Sequence, residues 1–266
     1  MAEKRGRYEE IQFLQEKGSR PASYDRAGRR NEMEKNIKEL LQDMGFRPIG
    51  LDDEFRFRCT RCGRCCIHRE DILLSPQDIF RMAGELGMEA GEFMADYCEA
   101  YIGKDSRFPI VRLMPRGSVR RCPLLKDRKC RVHAAKPSVC AMFPVGWCIV
   151  MRGPGEEEAG SGIQYLLNLT SCGERSETHT VREWLQSFGI PLEDRFFLKW
   201  QEVVYEAGEA FRKAEIRADA REMETFWQAA TVMLYLSYDM EKEFLPQFEA
   251  NAQRLLEMLR KAVPQG

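Results

Sequence analysis

The stretch "FRCTRCGRCC", residues 57–66, places four cysteines within eight positions, at Cys59, Cys62, Cys65 and Cys66. A two-residue gap between cysteines lets a tight turn direct successive sulfurs at one centre. Thiolates suit zinc and iron–sulfur clusters because both are thiophilic centres that accept four sulfur ligands. The stretch therefore predicts a metal-binding site with a cysteine-rich core around it.

The length and composition of the chain indicate a protein that does not need disulfides. A chain of 266 residues can bury a substantial core. The amino terminus is charged throughout, and apolar runs such as "VMLYL" are far too short to span a bilayer. We therefore expect a cytoplasmic protein with no membrane contact, in which metal or redox chemistry explains the ten cysteines better than disulfides do.

The pattern of apolar residues predicts an α+β fold in three parts. An amphipathic segment that ends before Gly45 predicts a helical arm over residues 1–50. Short extended pieces and helices around the cysteines predict a metal-binding domain over residues 51–175. Three amphipathic stretches, which include Trp200, Trp227 and Phe248, predict a C-terminal helical region over residues 176–266.

Within the central part, local signals predict particular elements. A helix is expected after the N-cap Ser75, with Pro76 in its first turn and Gly87 at its end. A second helix is expected over "EFMADYCEAYI", residues 92–102, and strands over "FPIVRLM", "VGWCIVM" and "IQYLLNL". The last two strands predict a hairpin joined by the polar residues 152–162. Cys98 and Cys148 are expected to be core residues of these elements.

The remaining cysteines number eight, which is two sets of four. A C-x-x-C-x-x-C run followed later by a Cys-Pro pair is the arrangement by which bacterial ferredoxins hold a [4Fe–4S] cluster, so we favour an iron–sulfur cluster over zinc. Adjacent side chains on extended backbone point in opposite directions, so Cys65 and Cys66 are not expected to share a centre. We assign one centre to Cys59, Cys62, Cys65 and Cys122, and a second centre or an alternative ligand set to Cys66, Cys130, Cys140 and Cys172.

Histidines and basic residues lie near the cysteines. His68 and His133 could each replace a sulfur in a mixed site, whereas we assign no role to His179. The formal net charge of −1 disfavours a general nucleic-acid binder, although residues 116–131 carry seven basic residues and one acidic residue. These cations either offset the negative charge of a thiolate cluster or form a solvated basic face.

A family resemblance is carried by five blocks of sequence. In this order, "CTRCGRCC", "CPLL", "CRVH", "KPSVCAMFP" and "SCG" resemble the YkgJ-type cysteine-cluster family, zinc- or iron-chelating proteins with a C-x-x-C-x-x-C-C signature, over about residues 55–175. The resemblance implies that the metal-binding set is Cys59, Cys62, Cys65, Cys66, Cys122, Cys130, Cys140 and Cys172. Flagellin lysine N-methylase is similar in its cysteine block, and its activity is associated with an iron–sulfur cluster and S-adenosylmethionine.

The expected function is metal binding through cysteine. An iron–sulfur centre would serve electron transfer, redox sensing or cluster-dependent modification, with a protein substrate or a redox partner. One alternative is a protein-lysine methyltransferase that uses S-adenosylmethionine. Another is a zinc-stapled interaction module that contacts nucleic acid through residues 116–131. The sequence identifies no catalytic residue, so it does not decide whether the protein is an enzyme.

Overall fold

The computed structural model describes residues 41–43, 45–68, 72–150, 162–169, 172–192 and 194–262. The chain forms two compact units, one from residues 1–62 and 141–192 and one from residues 63–140 and 193–266, which we call unit 1 and unit 2. Both units take part of the segment 51–175, because strands distant in sequence pair with one another. The expected N-terminal arm lies almost entirely outside the described residues.

The described elements confirm an α+β fold with small antiparallel sheets. A 3₁₀ turn covers Arg64–Cys66, and a π-helical turn covers Val232–Leu236. In chain order the other elements are β1 (Phe46–Ile49), β2 (Glu54–Arg58), β3 (Leu73–Leu74), α1 (Pro76–Leu86), α2 (Ala90–Tyr97), β4 (Cys98–Ile102), β5 (Pro109–Leu113), β6 (Leu125–Lys126), β7 (Lys129–Cys130), α3 (Ser138–Met142), β8 (Val145–Val150), β9 (Gly162–Asn168), β10 (Glu174–Thr180), α4 (Val181–Ser187), α5 (Arg195–Ala214), α6 (Ala220–Thr231) and α7 (Phe244–Ala262).

Unit 1 is built from two sheets and helix α4. Strand β9 lies between β1 and β8, and β10 pairs with β2. All of these pairs are antiparallel. Phe57 and Trp184 meet edge to face in the core, with their ring centroids 5.7 Å apart. The β2–β10 pair matters for the site because Cys59 follows β2 directly and Cys172 precedes β10.

Unit 2 contains a three-stranded sheet in the order β3–β5–β4, the β6–β7 hairpin and the long helices. Its core includes Phe93, Phe211 and Phe248, all fully buried. Cys122, Cys130 and Cys140 pack against the edge of this core. These three cysteines of unit 2 therefore pack against a large apolar core.

Most of the predicted elements are confirmed. Helix α1 has Ser75 as its N-cap, with a capping box formed by Asp78, and it ends at Gly87, which has φ 65°. Strands β5, β8 and β9 lie where the sequence predicts them, and β8 and β9 pair as a hairpin. The three C-terminal helices are α5, α6 and α7. None of the helices in the described residues is long and apolar enough to cross a bilayer.

The prediction of the second helix is wrong in its C-terminal half. Helix α2 ends at Tyr97, and Cys98 begins strand β4, which pairs along β5 from Cys98↔Leu113 to Ile102↔Pro109. Over so short a stretch, the apolar residues fit both the helical and the strand periodicity. The pairing with β5 therefore decides that the second half forms a strand. Cys98 is buried, as predicted.

Candidate metal centre

The 3₁₀ turn Arg64–Cys66 positions the first two cysteines of unit 2. Gly63 precedes the turn with φ 73°, a left-handed conformation that glycine adopts without strain. The turn brings the Sγ atoms of Cys65 and Cys66 to 3.9 Å from each other. Because the backbone is helical here rather than extended, these neighbouring side chains can lie on the same side, contrary to the expectation from sequence.

Three further segments of unit 2 carry cysteines, and the first of them is hydrogen-bonded to this turn. The backbone N–H of Cys122 donates to the carbonyl oxygen of Cys66 at 2.8 Å. Cys130 lies on β7 and pairs with Leu125 of β6. Cys140 lies on the short helix α3, whose first residue, Ser138, donates to Asp78 of α1.

The thiols of these segments shift one another's pKa values. The pKa of the Cys66 thiol is raised by its hydrogen bond with Cys65, by burial, and by the neighbouring thiolates of Cys65, Cys122 and Cys140. Burial raises the pKa of Cys122, and charge interactions with Cys130 and Cys65 raise it further. We call the group the five-cysteine cluster, and its members are Cys65, Cys66, Cys122, Cys130 and Cys140.

Cations are arranged unevenly around the five-cysteine cluster. Burial raises the pKa of the Cys130 thiol, while the backbone N–H of Val132 and the charge of Lys136 lower it. Lys136 thus offsets negative charge at the sulfur. In contrast, the seven basic residues between positions 116 and 131 are all exposed. The structure therefore favours the solvated basic face for that strip.

Unit 1 holds a separate pair of thiols. The Sγ atoms of Cys62 and Cys172 lie 3.9 Å apart, and Cys59 is exposed. Gly173 fixes the position next to Cys172, because it has φ 74° and a Cβ there would lie 2.4 Å from Phe57 and 2.8 Å from the carbonyl oxygen of Arg58. Only glycine fits this close approach to β2.

Two close pairs of sulfurs cross the partition expected from sequence, and that partition stays a prediction. Cys66 was assigned apart from Cys65 and Cys122, but the three belong to the same cluster of unit 2. Cys172 was assigned to the set of Cys66, but it contacts Cys62 in unit 1. The order of the cysteines in the sequence therefore does not determine which sulfur atoms lie close together. The assignment of all eight cysteines as metal ligands stays a prediction.

The other candidate residues lie outside the five-cysteine cluster. Burial raises the pKa of Cys98 to about 12, which fits an inert core thiol. Cys148 pairs with Gln164 in the β8–β9 hairpin, as expected of a strand residue. His68 and His133 are exposed, and their role as metal ligands stays a prediction. The Nε2 atom of His179 lies 3.0 Å from the carbonyl oxygen of Phe57, a contact that sequence reasoning did not anticipate.

The chemistry of the cluster fits a thiophilic metal. None of the nine cysteines whose side chains the structure describes is in a disulfide bond, so the sulfurs of the five-cysteine cluster can still act as metal ligands. Two thiolates on one tetrahedral zinc ion lie about 3.8 Å apart when the zinc–sulfur bonds are about 2.3 Å. The Cys65–Cys66 distance of 3.9 Å matches this value. Within the described ranges, no group of three or more Cys, His, Asp or Glu side chains is arranged to hold a metal ion.

The fold and the thiols define a cysteine-rich α+β protein with a partly buried cluster of candidate metal ligands. Residues 58–162 match the model of the CxxCxxCC family, described as a "Putative zinc- or iron-chelating domain". The resemblance seen in the sequence is confirmed over this segment, which contains all five cysteines of the cluster. Cys172 lies beyond the match. No curated protein and no solved structure matches the chain significantly, and the likeness to flagellin lysine N-methylase stays a prediction.

Proposed function

We propose that the chain binds an iron–sulfur cluster through four of the five cysteines in the five-cysteine cluster. The observation that carries the proposal is the position of Cys66, whose Sγ lies 3.9 Å from that of Cys65 and whose carbonyl oxygen accepts a hydrogen bond of 2.8 Å from the backbone N–H of Cys122. A cluster bound there would supply a one-electron redox centre. The chain's own contribution is to hold the thiolates on an apolar base and to place Lys136 beside Cys130.

The choice of iron–sulfur over zinc is supported by the number of separate chain segments that carry the proposed ligands. The thiolates of a cubic cluster bind separate irons, so they need a wider arrangement than the ligands of one ion do. Ligands drawn from the 3₁₀ turn, from Cys122, from β7 and from α3 provide such an arrangement.

A single zinc or iron ion is the second candidate, and one observation favours it. The Cys65–Cys66 distance of 3.9 Å is the separation expected of two thiolates on the same ion. Zinc in this position would act as a structural crosslink between the segments rather than as a redox centre.

Metal and acid-labile sulfide analysis of full-length protein purified without oxygen tests the proposal, together with its electronic spectrum. We expect iron and sulfide in comparable amounts and a brown protein. Cys66→Ala should lose most of both. The matched control is Cys98→Ala, which removes a buried thiol of unit 2 outside the cluster and should keep the metal content of the parent protein.

The outcomes separate the two candidates. A colourless protein with stoichiometric zinc and no sulfide would replace the iron–sulfur cluster by the single ion. Protein without any bound metal after anaerobic reconstitution with iron and sulfide, and separately with zinc, would contradict both. Binding of S-adenosylmethionine and methyl transfer remain predictions from the family resemblance, as do the protein substrate or redox partner and the cytoplasmic location.

A further inference from the structure

A strongly basic surface lies next to the five-cysteine cluster in unit 2. Residues 116–131 have a formal charge of +6, whereas the whole chain has −1. The segment folds back on itself twice, first where Arg116 and Arg121 exchange backbone hydrogen bonds of 2.8 and 3.0 Å, and again at the β6–β7 hairpin. Both turns present their cations to solvent. We call this surface the basic face, and its exposed cations are Arg64, Arg116, Arg120, Arg121, Lys126, Arg128, Lys129 and Arg131.

Two arginines of the basic face are fixed in place without losing their charge. The guanidinium carbons of Arg116 and Arg131 lie 5.7 and 5.9 Å from the ring centroid of Tyr97. Arg131 also donates to the Tyr97 hydroxyl at 2.8 Å, and Arg116 donates to the carbonyl oxygen of Asp96 at 2.8 Å. These partners are all neutral, so the positive charges remain uncompensated. Side chains that are already ordered lose less conformational entropy when a partner binds.

Four further cations add positive charge to the basic face. No ion pair joins Arg121, Lys126, Arg128 or Lys129 to a carboxylate among the described residues. The surface therefore complements a partner with a high density of negative charge.

Exposed aliphatic side chains lie beside these cations. Ile67 is 36% exposed and Val119 is 47% exposed. Their backbones run next to each other, because the N–H of His68 donates to the carbonyl oxygen of Val119 at 3.1 Å. An apolar centre with a charged rim is the usual composition of a protein–protein interface.

The aliphatic centre favours a protein partner over a nucleic acid. Proteins that bind single-stranded nucleic acids stack the bases on aromatic side chains. Residues 116–140 contain no Phe, Tyr or Trp. The overall charge of −1 also disfavours binding to a long phosphate backbone.

We propose that the basic face, together with the adjoining Ile67 and Val119, is a docking surface for an acidic segment of another protein that carries aliphatic residues between its carboxylates. The inference goes beyond metal binding, since it depends only on the exposed residues of unit 2. The backbone N–H of Cys122 donates a hydrogen bond to the carbonyl oxygen of Cys66, beside Val119 and Ile67. A docked segment would therefore lie next to the five-cysteine cluster.

Fluorescence anisotropy with the full-length protein tests this proposal. The probe is a short fluorescein-labelled peptide rich in glutamate that carries two leucines. Binding should weaken about tenfold or more between roughly 50 mM and 200 mM salt, because salt screens exposed charges. The double variant Arg121→Glu, Lys126→Glu should weaken binding about tenfold or more. The matched control is Arg217→Glu, Arg221→Glu, which makes the same change in net charge at exposed positions of unit 2 outside the basic face.

Three results would overturn the proposal. They are binding that the Arg121 and Lys126 reversals leave unchanged, an equal loss in the control variant, and tighter binding of a single-stranded oligonucleotide of the same charge. Replacing both leucines of the probe by serine should weaken its binding to the parent protein but not to Val119→Ser. Metal content is measured on the same samples, so that a metal-free protein that still binds the probe would contradict the proposed metal centre alone.

Discussion

Asp78 is a buried carboxylate that connects helix α1 to the segment that carries Cys140. It is 4% exposed. Its Oδ2 accepts hydrogen bonds from the backbone N–H and the hydroxyl of Ser75 at 3.0 and 2.8 Å. Its Oδ1 accepts from the backbone N–H and the hydroxyl of Ser138 at 2.9 and 3.1 Å. One side chain therefore caps a helix and holds the start of α3.

We expect Asp78→Ala to lower the free energy of unfolding by about 3 kcal/mol, because it removes the N3 half of the capping box and leaves buried donors without partners. Asp78→Asn keeps one oxygen acceptor and should lose about half as much. Urea unfolding measures both. The matched control is Glu92→Ala, which removes the N3 residue of the exposed capping box of α2 and should cost about 1 kcal/mol or less. Equal losses for Asp78→Ala and Glu92→Ala would show that the contact with Ser138 contributes no stability.

Gly173 shows how one position determines where Cys172 lies. A Cβ at this position would overlap Phe57 and the backbone of β2, at 2.4 and 2.8 Å. We expect Gly173→Ala to destabilise unit 1 by about 2 kcal/mol or more, since it adds a backbone clash to the cost of the left-handed conformation.

Gly87→Ala is the matched control for Gly173→Ala. Gly87 also has a positive φ, of 65°, but nothing lies within 4 Å of its Cβ position. It should therefore lose only about 1 kcal/mol, the cost of the conformation itself. Thermal and urea unfolding compare the two variants, and a loss at Gly173 no larger than that at Gly87 would contradict the close approach.

At the scale of the element, the start of helix α4 depends on a titrating side chain. The Oε2 atom of Glu183 accepts hydrogen bonds from the backbone N–H and the hydroxyl of Thr180, at 2.9 and 3.0 Å. These bonds, the backbone bond first, hold the pKa of Glu183 below its usual value. A carboxyl group whose pKa is lower in the folded state stabilises the protein above its unfolded-state pKa. This contribution disappears as the pH falls through the lower, folded-state value.

Glu183→Gln should therefore unfold at lower urea concentration than the parent protein at pH 7. The difference should shrink as the pH falls below about 4 and through the lowered folded-state pKa, because Glu183 then becomes protonated in the folded protein as well as in the unfolded chain. Urea unfolding at several pH values measures it. Glu85→Gln, at an exposed position late in α1, serves as the control and should show no such convergence. A gap that stays constant with pH would contradict a role for the charge of Glu183.

At the scale of the whole molecule, the sequence predicts what is local and misses what depends on distant pairing. Helix α1 is predicted to the residue because Ser75, Pro76 and Gly87 act within single turns of the chain. The helix-to-strand change at Cys98 is missed because it is decided by pairing with β5. The Cys62–Cys172 contact is missed because it depends on the pairing of β2 with β10. The candidate cysteines are thus recognisable from sequence, but their grouping is not.

The grouping in the structure determines how metal binding would act on the stability of the molecule. The five-cysteine cluster joins chain segments from Cys65 to Cys140, and these segments come together only in the folded state. A metal that binds the folded state and not the unfolded chain stabilises the fold, by about 2.7 kcal/mol when the free metal is roughly 100 times its Kd. Loading the protein should therefore raise its Tm.

We expect metal-loaded protein to unfold about 5 °C or more above protein from which the metal has been removed. Cys66→Ala should lose this difference, whereas Cys98→Ala should be less stable in both forms but keep it. Differential scanning calorimetry, with metal content measured on each sample, makes the comparison. Metal-loaded and metal-free samples of the parent could instead have the same Tm although the metal is bound. The metal would then bind the unfolded chain as tightly as the folded protein, so its ligands would have to lie close together in the unfolded chain as well. Such a result would point to the closely spaced run Cys59–Cys66 alone as the binding site, and it would exclude Cys122, Cys130 and Cys140 as ligands.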